Sequence, residues 1–114
     1  MPVDVIVVDT SADTDVLSAT DLDPIPGPGF LRVWMASTVA TATISASMPE
    51  QNFTRSAALI LRSGGSPNID QDTPVVETAT DAGEKLTINL GGTTGTVYTH
   101  ARWLSVDEVR AGIS

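Results

Sequence analysis

From Thr38 to Met48 the residue type alternates at each step. Ala40, Ala42, Ile44, Ala46 and Met48 fall on one side, and Val39, Thr41, Thr43, Ser45 and Ser47 on the other. A period of two sets an apolar row against a core and a hydroxyl-rich row toward water or a partner. The β-branched Thr, Val and Ile favour the extended state, because their restricted χ1 fits a pleated surface at little cost. A long strand is expected here, paired with its neighbours in sequence, and the class it sets is all-β.

Other segments carry the same signal. Val5–Val8 is an apolar tetrad, residues 30–36 have strand character, and Ser56–Arg62 is apolar enough for a central strand. Val75–Thr80 and Glu84–Leu90 flank Asp81-Ala82-Gly83, a turn of the kind that joins hairpin strands. In the second of these runs Leu86, Ile88 and Leu90 point one way and Lys85, Thr87 and Asn89 the other. Gly91–Gly95 reverses the chain into a last strand, Thr96–Leu104. Ser105 followed three residues later by Glu108 has the form of a capping box and predicts one short terminal helix. About eight strands at this spacing suit an antiparallel β-sandwich or small barrel, jelly-roll-like in layout. The chain divides into residues 1–23 (an acidic N-terminal arm or a first strand), a stiff, solvated Pro/Gly connector at 24–29, and a β-domain from 30 to 114.

Charge narrows the function. The chain of 114 residues has a net charge of −8, with Lys85 its single lysine and five arginines. Nucleic-acid binding needs the opposite balance. Six aspartates and no basic residue fall within residues 1–23. Without cysteine there is no thiol nucleophile and no thiolate metal site. No apolar run approaches the roughly 20 residues of a membrane helix, and the N-terminus lacks the basic region of a secretory signal. Accumulation in the cytoplasm where the chain is made is the expectation.

Constellations that could carry chemistry are sparse. His100 is the one histidine, and no nucleophile-elbow pattern accompanies it, so a strand residue facing a neighbour or subunit is the expected role. Asn68, Asp70 and Asp72 alternate as hard cations like, but the glycine and distal glutamate of an EF-hand loop are missing. Gly91–Gly95 has neither the lysine nor the following helix of a phosphate loop. In the strand from Phe30, Leu31, Val33 and Met35 make the better core face, which sends Trp34 outward beside Arg32. On the last strand Tyr98, His100 and Arg102 share the face opposite Val97, Ala101 and Trp103. Trp and Arg concentrate at interface hot spots. Arg32, Trp34, Tyr98, His100 and Arg102 are therefore the candidate subunit interface, although for the two tryptophans core packing is the first reading and contact the second, since a small domain seldom leaves its few large side chains in water.

The order of these features resembles the small β-rich structural proteins of tailed-bacteriophage virions, in particular capsid decoration (cement) proteins. The elements that carry the likeness are the acidic N-terminal segment, the Pro/Gly connector, FLRVWMASTVATATISAS, GEKLTINLGGTTGTVYTHARWL and the lack of cysteine. It covers most of the chain and lies in texture and layout. The resemblance implies a non-enzymatic homotrimer on the capsid exterior, made in the host cytoplasm and bridging major capsid protein subunits at threefold and quasi-threefold positions. It implies no cofactor, no metal and no catalytic residue. It also implies that the N-terminal segment grips the capsid. Val3–Asp15 matches that segment by position, with Val3, Val5, Ile6, Val7 and Val8 as its apolar contacts. Another virion part (a head spike, tail or fibre-associated domain) and a carbohydrate- or calcium-dependent adhesion module at Asn68–Asp72 are the alternatives.

Overall fold

The computed structural model describes residues 2–10, 15–38, 43–51, 53–61, 66–91 and 96–113. The strands in chain order are β1 (Val3–Asp9), β2 (Gly29–Ser37), β3 (Thr43–Met48), β4 (Phe53–Ala58), β5 (Ile60–Leu61), β6 (Val76–Thr80), β7 (Thr87–Gly91) and β8 (Val97–Ser105), followed by helix α1 (Val106–Arg110). β5 is only two residues long, so seven strands of five residues or more carry the architecture.

They form two sheets. The larger runs β1-β8-β2, with β6 and the short β5 both on the far side of β2, and the smaller runs β4-β3-β7. All pairings are antiparallel except β2 with β5. Val5, Leu31, Val33, Val97, Ala101 and Trp103 from the larger sheet share one buried cluster with Ile44, Ala46, Met48, Ile88 and Leu90 from the smaller. Alternation explains the match, because each of these strands offers one apolar row, and the two apolar faces exclude water only against each other.

Several expectations change here. The strand from Phe30 and the strand ending at Met48 lie in different sheets, so β2 does not pair with β3; residues 39–42, including Ala40 and Ala42, fall outside the described set. The run Ser56–Arg62 splits, with Ser56–Ala58 closing an edge strand of the smaller sheet and Ile60–Leu61 crossing to the larger. Arg62 and residues 92–95 lie outside the described residues. β6 and β7 are not a hairpin: β6 pairs with β2 while β7 pairs with β3. β7 and β8 likewise sit in different sheets. A turn between two amphipathic strands lets their apolar rows lie side by side or face each other across a core, and here the core wins.

Residues 15–29 also contribute to this core. Val16, Leu17, Leu22 and Ile25 are buried in the same cluster, and the Val16 amide donates to the Ile88 carbonyl of β7 at 3.1 Å. Lys85 holds the segment down through Asp15 at 2.9 Å and Asp23 at 2.7 Å. The Pro/Gly stretch is packed rather than a solvated spacer. Pro24, Pro26 and Pro28 face outward, where a missing N–H leaves nothing unsatisfied, while Ile25 and Gly27 turn in. The Ile25 amide donates to the Glu84 carbonyl at 2.8 Å, and the Gly27 carbonyl accepts the Thr80 hydroxyl at 3.0 Å. That hydroxyl in turn accepts the Trp103 indole N–H at 3.0 Å. Gly29 has no room for a side chain, since a Cβ there would lie 2.1 Å from the Leu104 carbonyl oxygen.

The capping box forms as expected. Ser105 Oγ accepts the Glu108 amide at 3.2 Å, and Glu108 Oε1 accepts the Ser105 amide at 2.9 Å. That backbone N–H is the main reason the Glu108 carboxyl sits below its usual range. α1 packs on β2 and β8, on the side of the larger sheet that carries Leu104.

Candidate interaction face

The outer face of the larger sheet gathers most of the residues that the sequence singles out. Register sets Asp4 beside Arg102, Arg102 beside Arg32, and Arg32 beside Glu77, a row of charges running minus, plus, plus, minus across four strands. The next row holds Ile6, His100 and Trp34, and the next Val8, Tyr98 and Ala36. The period of two explains why these side chains share a face: their odd-numbered neighbours on β1 and β8, Val5, Val97 and Ala101, point into the core.

The charged row is internally matched. Asp4 Oδ1 accepts from Arg102 Nε at 2.8 Å and lies 2.8 Å from His100 Nε2. Partial burial pushes the Asp4 carboxyl up, but the hydrogen bonds from Arg102 and His100 outweigh it and hold the group below the usual range. Arg32 Nε stands 3.8 Å from Glu77 Oε1, and its guanidinium lies 5.3 Å from the centre of the Phe30 ring. Arg102 is thus braced in place by a hydrogen bond, which lowers the entropy cost of using it in a contact, while Arg32 Nε has only the loose ion pair and, among the described residues, no hydrogen bond.

Like Trp103, Trp34 takes the core-packing reading. It lies on this outer face but is only 4% exposed. Its indole N–H donates to the Asp72 carbonyl at 3.0 Å, and its ring meets His100 edge-on at 6.0 Å between centroids. The covering loop holds its own shape. The Asn68 side chain accepts the Asp70 amide at 3.0 Å, and Asp72 Oδ2 accepts the Asn68 amide at 2.8 Å. These side chains, expected as a possible cation loop, serve as braces for a lid over Trp34, and among the described residues no cluster of three or more metal-ligating side chains forms. Trp34 is therefore withdrawn from the interface set, while Arg32, Tyr98, His100 and Arg102 remain half-buried on the face.

The expected arm is resolved into two roles. Val3, Val5 and Val7 pack on the core, so they are not free to grip a partner. Ile6 and Val8 face out, 67% and 52% exposed. Alternation alone could have separated these two sets, once the segment was taken as a strand with one face on its own core. The smaller sheet has a different outer surface, a shallow concavity where Thr43, Ser45, Ser56 and Asn89 meet without charge.

Neither a family model, nor a curated protein, nor a solved structure matches the chain.

Proposed function

We propose that this protein works by contact: a non-enzymatic decoration protein of a phage capsid, laid on the outer shell through the exposed face of its larger sheet, with the major capsid protein as partner. The observation that carries the reading is the grouping on that face of Ile6, Val8, Tyr98, Arg102 and Arg32 on three adjacent strands. Tyr and Arg are hot-spot residue types, Ile6 and Val8 add apolar area around them, and Arg102 is already oriented by Asp4. The acidic balance of the chain then lies toward solvent, and the arginines mark the contact. Repeated placement on a lattice multiplies weak contacts into avidity.

The strand order supports a jelly-roll sandwich as the scaffold. The first strand pairs with the last (β1 with β8), β2 with β6, and β3 with β4. The Val16–Ile88 hydrogen bond sets residues 15–17 beside β7 as the remaining nested pair. Jelly rolls of this kind build viral capsid and lectin domains, among others.

Cosedimentation with undecorated capsid shells tests the reading. The wild-type protein is expected to pellet with shells, and the double substitution Tyr98→Glu/Arg32→Glu to stay in the supernatant with an unchanged circular dichroism spectrum. Equal pelleting of the two proteins, or no pelleting of either, would refute it.

A further inference from the structure

β1 ends the larger sheet: among the described residues no strand lies beyond it, so its outer edge presents alternate backbone N–H and C=O groups without a ladder. Edges of this kind are usually blocked by projecting charge, proline or a bulge. Here the block is weak. Pro2 stands just before the strand, and Asp4 is drawn back onto β8 by Arg102 and His100. Ile6 and Val8 are left as the exposed side chains of the strand interior.

We propose that the partner of this edge is a second copy of the chain, β1 pairing antiparallel with β1 across a two-fold axis at Ile6. In that register Val3 lies opposite Asp9, Asp4 opposite Val8, Val5 opposite Val7 and Ile6 opposite Ile6. Each core-facing residue meets a core-facing residue, and no aspartate meets an aspartate. Moving the axis by half a residue sets inward side chains against outward ones, which the pleat forbids. Moving it to Val5 brings Pro2, which has no N–H, into the ladder and carries Val8 and Asp9 past the start of the partner strand. Moving it to Val7 sends Val3 and Asp4 past the end of the partner strand. The axis at Ile6 alone keeps all seven residues paired.

Charge does not forbid the seam. The outward carboxylate nearest it is already neutralised within its own chain, and charges more than about 8 Å away are screened at physiological ionic strength. The seam is about 24 Å long, at 3.4 Å per residue, which belongs to the small-interface class. It joins two larger sheets into one and makes their outer faces continuous. The resulting assembly is even-numbered, in place of the trimer implied by the resemblance. The proposal stands on the edge itself and does not depend on shell binding.

Because the chain has no cysteine, Ile6→Cys introduces a single thiol at the two-fold axis. Directly opposed antiparallel residues have Cα atoms about 4.5–5.5 Å apart, within the roughly 4.4–6.8 Å span of a disulfide. Under mild oxidation the purified Ile6→Cys protein is expected to form covalent dimer at least tenfold faster than Val109→Cys, whose site is 46% exposed on α1. Light scattering on the wild type should show a mass rising from 11.9 kDa toward twice that value with concentration. Ile6→Lys should stay monomeric with an unchanged spectrum. A wild type that is monomeric or trimeric throughout, or equal cross-linking rates at the two positions, would overturn the proposal. A dimer that ignores capsid shells would sink the decoration reading and leave the edge pairing standing.

Discussion

Thr80 joins three parts of the molecule through one hydroxyl. It is 5% exposed; its Oγ1 donates to the Gly27 carbonyl and accepts the Trp103 indole N–H, both at 3.0 Å. Valine has nearly the same shape, so Thr80→Val opens no cavity but leaves a buried donor and a buried acceptor unpaired. Each orphan costs about 1–3 kcal/mol, and the extra methyl offsets about 0.8 kcal/mol of the sum. A net loss of about 3 kcal/mol follows, or about 12 °C in Tm at roughly 4 °C per kcal/mol for a domain of this size. Thr80→Ser is the control, since it keeps both bonds and loses only a methyl, about 1 kcal/mol. Urea titration followed by tryptophan fluorescence and differential scanning calorimetry measures both variants, and the order expected is wild type, then Ser, then Val. If Thr80→Val were as stable as Thr80→Ser, the hydroxyl bridge would not be what fixes the Pro/Gly segment to Trp103.

Other outcomes follow from the same structure. Gly29→Ala should lower stability by more than about 3 kcal/mol, because backbone at Leu104 cannot move aside for the new methyl; a loss under about 1 kcal/mol would mean that β2 and β8 slide apart freely. Asp4 and Asp23 have carboxyls held below the usual range, Asp23 chiefly by the Lys85 hydrogen bond and then the Ala19 amide. Their stabilisation is present in full above the unfolded-state value of about 3.9 and is lost as pH falls through the lower folded value. Asp4→Asn/Asp23→Asn should therefore flatten the fall of the urea midpoint below about pH 4, and an unchanged slope would refute the assignment. Lys85 is raised by Asp23 and Asp15, so its contribution holds below about 10.4 and disappears as pH climbs through the folded value. Lys85→Met should remove that alkaline loss and speed hydrogen exchange at the Val16 amide. Ser105→Ala should cost about 1 kcal/mol through the lost cap, read as a drop in Tm.

Each local stretch carried what could be settled within a few residues. Alternation in Glu84–Leu90 correctly set Leu86, Ile88 and Leu90 inward. The Ser105–Glu108 spacing placed the helix start, because a cap is made within four residues. Alternation set the all-β class, and the charge balance the acidic character of the chain. What the pattern could not state is where each apolar row points. The same alternation serves a strand beside its neighbour and one facing it across a core, and so the β6–β7 hairpin expected from Asp81-Ala82-Gly83 became a crossing between sheets. The aspartate-rich start was open between an arm and a first strand for the same reason. Val16, Leu17 and Leu22 carry no clear period, and only the gap beside β7 makes them core. Trp34 shows the limit most plainly: its face was legible from its place in β2, but its burial depends on a loop 38 residues away in sequence, whose Asp72 carbonyl accepts the indole N–H. Periodicity is a property of neighbours along the chain, whereas burial is decided by what arrives from elsewhere, and only the assembled sheets reveal that.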